Sequence, residues 1–442
     1  MLKAGFARVD ITPPFGTPLA GYYEMRYADG VRDPVQLNAL AVSDGERTVV
    51  FIPADVLLIR RTVCDELRAL INERTGIGAE NVMITGLHPH TSLRIGGEGG
   101  AVVKDRNYLD VLYRKFADVA QMAIDDMSEA TFGMAVAPTA EPISFVRRYY
   151  LKDGRLRTNP GNHTPDEIDR PAAKADNDVR IVRFIREDKK DITLVNFCTH
   201  PDVIGGTKVS ADWPGVVRRF VEAEHDTHCL FINGFEGDTN HINFMVPKEQ
   251  RIKGRPGVNS SKGYAHSAYM GRTIADAVNT IWDKVEMQKE DKLFSEMRLV
   301  YIKTSTRGME HFAECSAFNA RYRAGDYSVK KTESGIELAE ACRIAVIPDQ
   351  PTYQRIPITV LGLGTIALLG LGGEPFTAYA FAARKAAPDK FIVTACCANG
   401  GEAYLPTKEA FDQGGYEVVS SHFSPELEGL IMKDAAEMLN DF

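Results

Sequence analysis

Three stretches of this chain place imidazole or carboxylate groups directly after short apolar runs. They read Gly86-Leu87-His88-Pro89-His90-Thr91-Ser92, Cys198-Thr199-His200-Pro201-Asp202 and Gly372-Gly373-Glu374-Pro375. Imidazole and carboxylate groups suit zinc, and a catalytic zinc takes about three protein ligands and keeps one position open. Pro89 biases His88 towards an extended backbone. In an extended chain residues i and i+2 share a face, so His88 and His90 are expected to look into one pocket. Each group also has an ordinary reading. The two histidines fit a surface loop, His200 a hydrogen-bonded strand end, and Glu374 an exposed helix N-terminus, where the macrodipole favours a carboxylate. A fourth stretch, 234–243, crowds Glu236, Asp238, Asn240 and His241 after another apolar run. It reads equally as a Gly/Asp/Asn turn or as the edge of an active site.

The elements that must position these groups are legible from periodicity. Apolar, β-branched runs at 37–42, 48–53, 82–84, 179–185, 192–197, 229–232, 298–302, 358–363, 366–371 and 391–394 predict strands. Helical spacing appears at 62–73, 108–127, 213–224, 263–285, 376–385 and 425–439. Strands alternating with helices predict an α/β fold with helices flanking a largely buried sheet. Gly364-Thr365 between two runs predicts a hairpin, so the sheet should be mixed. The chemistry-bearing groups then fall at strand carboxyl ends, where open α/β sheets build their sites. The segments 147–178 and 243–263 are polar and weakly periodic, and are expected to be loops around a cleft. No linker or internal repeat is visible, so 1–442 is read as one domain.

The composition is that of a globular protein, 44% hydrophobic and 25% charged. A formal net charge of −8 argues against a nucleic-acid surface and fits anionic membranes poorly. No run reaches the ~18 apolar residues of a membrane span. The first residues, interrupted by Lys3, Arg8 and Asp10, do not read as a signal peptide. Seven cysteines in no regular framework fit reduced thiols and a cytoplasmic location. A small-molecule substrate is expected; oligomeric state is left open, a homo-oligomer included.

Taken in order, the motifs resemble the catalytic domain of the neutral/alkaline ceramidases. The opening 4–13 is similar to that family's G-x-a-x-x-D-I-T-x-P segment, and 88–92 to its T-H-T-H-S. Asp55 resembles the aspartate of its v-s-A-D step, Thr199-His200-Pro201 its H-P step, and 210–215 its S-x-D-y-x-G. Gly373-Glu374 and the stretch from Asn399 to Glu417 follow its later G-E and tyrosine-rich motifs. The resemblance implies Zn2+ held by His88, His200, Glu374 and Tyr404, with His90 beside the water or substrate carbonyl. It also implies that Arg147 or Arg148 contacts substrate, and that the chain lacks the β-sandwich that follows this domain in longer relatives. Two departures stand out. Gly401 replaces the first tyrosine of the late motif, and Asn240 and His241 stand where the family carries a catalytic serine and a proline.

The expected chemistry is zinc-dependent hydrolysis of an amide or an ester. His90 would assist proton transfer and Tyr404 would donate to the oxyanion. Asn240 and His241 would stand in for the serine. Asp212 or a backbone carbonyl would hold the far nitrogen of a ligand histidine. The basic residues Arg147, Arg148, Lys152, Arg155 and Arg157 suggest a small polar or anionic substrate, or else a solvated loop. A ceramide substrate and a metal-binding protein without hydrolytic activity are the competing readings.

Overall fold

The computed structural model describes residues 1–97, 101–252, 255 and 257–442. Eight strands form the main path of a nine-stranded mixed sheet: β1 (Lys3–Asp10), β2 (Gln36–Ser43), β3 (Thr48–Ala54), β4 (Val82–Gly86), β5 (Ser128–Pro138), β6 (Asp178–Arg186), β7 (Asp191–Phe197) and β8 (Thr227–Asn233), in the order β8-β7-β6-β5-β1-β2-β3-β4. The short Glu286–Met287 pairs with β5 as the ninth. A second, four-stranded sheet runs β9 (Leu293–Lys303), β10 (Tyr353–Leu363), β11 (Ile366–Leu371), β12 (Phe391–Ala395). The expected α/β fold, with a mixed sheet between helices, is what the chain forms, but with two stacked sheets rather than one.

Period-2 alternation explains the stacking. Along β2, Leu37, Ala39 and Ala41 join one core while Leu40 and Val42 join another. A strand buried on both faces shows no polar stripe. The core between the sheets combines Leu40, Phe51, Phe184 and Leu194 of the first with Leu293, Leu361, Leu368 and Val393 of the second. Helices close the outer faces. α1 (Arg61–Thr75) and α2 (Arg106–Asp125) cover β1 to β4, and α3 (Asp212–Glu224) and α4 (Tyr264–Ile281) cover β5 to β8. Beyond α5 (Phe312–Arg323) and α6 (Leu338–Ala345), α7 (Thr377–Ala386) and α8 (Leu427–Asn440) cover the small sheet. The result is four layers. Among the described residues no helix is long and apolar enough to cross a membrane.

One arrangement occurs three times: two antiparallel pairings, then a helix, then a parallel strand. It runs β1-β2-β3-α1-β4, β5-β6-β7-α3-β8 and β9-β10-β11-α7-β12. This repeat, absent from the sequence reading, lives in the pairing pattern and not in residue identity. It matters because the third and fourth strands of each unit run parallel and empty towards one rim.

The segment 147–178 is not the unstructured loop expected. Arg148–Leu151, Leu156–Thr158 and Ile168–Pro171 pair as a small antiparallel sheet. Tyr149, Leu151 and Ile168 form its own small core with Phe244.

Candidate metal centre

The rim of the threefold arrangement delivers the chemistry. Leu57, His200 and Glu374 each stand three residues past the third strand of a unit, and His88 and Glu236 follow the fourth strands of the first two units. His88, His200, Glu236 and Glu374 all converge within metal-ligating reach of one another, and His90 joins the two histidines in an overlapping group. The rings of His88, His90 and His200 pack edge-on, with centroids 4.9 to 5.4 Å apart.

Proton positions follow from the partners. His88 Nδ1 lies 2.9 Å from the Leu57 carbonyl, and His200 Nδ1 lies 3.1 Å from the Glu236 carbonyl with the Glu236 carboxylate also against it. A carbonyl oxygen only accepts, so each Nδ1 carries the hydrogen and each Nε2 is free to offer a lone pair. Both Nε2 atoms lie 3.5 Å from the same atom, Glu374 Oε2. His200 Nε2 and Glu374 Oε2 are buried without a hydrogen-bond partner. A tetrahedral zinc with ligand arms of about 2.0–2.1 Å holds its ligand atoms about 3.4 Å apart. Buried acceptors at that spacing fit a divalent cation, and their outer nitrogens are oriented as metal-binding histidines require.

The electrostatics show the same attraction for positive charge: without a cation the two carboxylates draw a proton to His88, which a metal ion would have to displace from Nε2. Burial works against a proton on His88, but Glu374 and Glu236 outweigh it and lift its pKa to about 10. Burial, with Arg147 and His88 nearby, pushes His200 well below its ordinary value. His90 is likewise held neutral by burial, Asp202 opposing. The expected extended conformation of His88 is not observed: its φ is 71°, in the left-handed region. A residue before proline is strained there, and such strain persists only where surroundings over-determine it; here the bonds from His88 to Val56 and Leu57 supply that constraint. The two rings face each other through this kink and not through strand alternation.

Tyr404 is brought to the same place. Its backbone pairs in parallel register with Glu374, its ring stacks beside His200 at 6.4 Å, and the Arg147 guanidinium lies 5.3 Å from its ring centre. Burial, then Glu374, holds its hydroxyl protonated. His88, His90, Glu374 and Tyr404 line a cavity of about 570 Å³, with Tyr22 and Tyr416 among its walls.

Other expected residues are placed differently. Arg147 is buried, bonding Glu417 at 2.7 Å and the Gly237 carbonyl at 2.8 Å. Arg148 donates to Gln413 and Gly414. Neither lines the cavity; Arg147 lies against the Tyr404 ring and Arg148 against Phe376. Asn240 spends its amide on Asn159 (2.6 Å) and the Ile242 N–H (2.9 Å). With His241 it lines a different cavity that Asp202 also borders, and neither belongs to the groups that converge. Asp212 accepts from the backbone N–H groups of Val203, Ile204 and Trp213 and holds no histidine. That role falls to Leu57 and to Glu236. Glu236 was legible only as one acid in a polar turn; its place three residues beyond a strand end, like His200 and Glu374, was the available signal.

Among the solved structures that share this fold are two ceramidases. One is the neutral ceramidase from Pseudomonas aeruginosa, at a TM-score of 0.73 and 15% identity, covering 99% of this chain and 74% of that one. The other is a ceramidase complexed with C2, at 0.72 and 14%, with the same coverage. No protein-family model matches the chain. At this identity the likeness is one of fold, and the fold is neutral ceramidase-like.

Proposed function

We propose that this chain is a zinc-dependent hydrolase acting on an amide bond. The observation that carries the reading is the meeting of His88 Nε2 and His200 Nε2 on Glu374 Oε2, each at 3.5 Å, with their outer nitrogens already fixed. The fold shared with ceramidases favours an amide over other acyl substrates. His88, His200 and Glu374 would hold the ion, with Tyr404 as the fourth ligand or its neighbour. Bound there, zinc supplies a Lewis acid and lowers the pKa of water to about 7.

The chain's own groups then have defined work. The Tyr404 hydroxyl, kept protonated by burial, donates at the carbonyl oxygen as negative charge develops. His90, neutral and 3.7 Å from Asp202 Oδ1, would take a proton from the attacking water and return it to the departing nitrogen. Asp202, itself steadied by Tyr22 and Lys262, orients that ring. The buried position of the cluster at the cavity floor strengthens each of these interactions.

The test is elemental analysis of the purified protein, together with N-acyl amides and chromogenic esters assayed with and without chelator. About one zinc per chain and chelator-sensitive amide cleavage are expected. His200→Ala and Glu374→Ala should each lose both metal and turnover. Stoichiometric zinc retained in either variant would overturn the ligand assignment, and chelator-resistant turnover would overturn the mechanism.

A further inference from the structure

The cavity above the metal cluster does not end at its own walls. Tyr23, Arg94, Arg323 and Cys342 line both it and a second cavity of about 700 Å³, so the two adjoin across these side chains. The second cavity is lined by six arginines against two carboxylates, Asp349 and Glu402, in a chain whose formal net charge is −8. Arg60 is engaged by Glu402 at 2.6 Å, Arg61 by Asp65 at 2.5 Å and Arg343 by Glu340 at 3.6 Å. Among the described residues, Arg94, Arg323 and Arg355 form no ion pair, and Arg94 Nε is buried without a partner. Arg343, only 2% exposed, spends Nε and Nη2 on backbone carbonyls. Its Nη1 and the Nδ1 of His422 are buried and unpartnered in the same wall. Like charges gathered at one place repel one another, and Arg94 and Arg343 also carry a cost of desolvation, while Arg323 and Arg355 stay exposed. Burial and the neighbouring Arg60 push Arg94 down to about 10.

We propose that this arginine pocket binds an anionic group of the substrate: a carboxylate, sulfate or phosphate carried on the same molecule as the scissile amide. The inference rests on the hydrolase reading for the second half of that sentence, and on the pocket alone for the first. Guanidinium groups present planar pairs of N–H donors that match the oxygens of such anions. A fatty chain laid in this pocket would strip water from charged groups and return nothing, so the arrangement selects against a purely apolar substrate. Arg94, at the junction, is the residue that both parts of such a molecule must pass.

The pocket is tested without the reaction. Metal-free protein titrated calorimetrically with sodium sulfate, at constant ionic strength, should show saturable binding. Arg94→Gln and Arg355→Gln should each weaken that binding about tenfold, the loss expected for one charge-assisted hydrogen bond. Absence of sulfate binding, or binding unchanged in both variants, would overturn the proposal. With zinc-loaded protein, N-acyl amides matched except for a terminal carboxylate, sulfate or phosphate are compared with a neutral analogue. Selectivity (the ratio of kcat/KM values) should favour the anionic members and fall about tenfold in Arg94→Gln. A wild-type ratio near unity would overturn the substrate assignment. Sulfate binding that depends on Arg94, with no amide cleaved at all, would uphold the pocket and reject the hydrolase reading.

Discussion

Glu236→Gln separates positioning of the candidate metal ligands from mere structural support. Glu236 is fully buried, and its carboxylate and carbonyl both meet His200 Nδ1. Glutamine keeps the volume and an acceptor oxygen but removes the charge that makes His200 a stronger donor to a cation. Loss of such an outer partner weakens metal binding about 10- to 100-fold, or about 1.4–2.7 kcal/mol. The metal-free protein should respond in the opposite sense. Burial raises the pKa of Glu236 although His88 and Arg147 oppose it, so its charge is held at a desolvation cost that the neutral amide does not carry. The assay is a competitive zinc titration near neutral pH, paired with urea unfolding of the metal-free protein. Zinc affinity within about twofold of wild type would refute the positioning role. A loss beyond about a thousandfold would make Glu236 a direct ligand instead. Metal-free protein destabilised by more than about 2 kcal/mol would mark the contact as structural.

Asn240→Ser, which places a hydroxyl where the ceramidase resemblance implies one, should not raise turnover, because the side chain is spent on Asn159 and Ile242 and not among the converging groups; a gain in kcat would reverse that placement. Arg147→Met leaves Glu417 as a fully buried carboxylate held by the Thr158 hydroxyl and the more distant Arg148 alone, and should cost about 3–5 kcal/mol in urea unfolding, with Glu417→Gln restoring part of it. His266, 1% exposed, is pushed down to about 3 by burial, with His241 and Arg255 adding to the effect. Its folded pKa lies below the unfolded value near 6.5, so its contribution is complete above that pH and is lost as pH falls towards 3. Linkage gives about 1–2 kcal/mol between pH 7 and 5, and His266→Gln should flatten the unfolding midpoint over that interval; an unchanged slope would count against the neutral assignment.

The sequence by itself determined the elements and most of the groups at the rim. Apolar runs of strand length, ending in His88, His200 and Glu374, carried both the fold class and the convergence, because a strand's exit is fixed by where its apolar pattern stops. Six helices were legible for the same reason. β1 and β5 were not: Arg8 and Glu129 interrupt their patterns, and pairing with long neighbours overrides that weakness. Only the tertiary structure decided what each polar group faces. It turned His88 into a left-handed kink, took Arg147, Arg148 and Asn240 out of the cavity by giving them buried partners, and revealed Glu236 behind His200. It also joined Arg94, Arg323, Arg343 and Arg355, scattered over more than half the chain, into one pocket. Periodicity reports which residues leave water; it carries no information on which distant segment supplies the charge or the hydrogen bond that meets them. That pairing is set by how three structurally alike units stack.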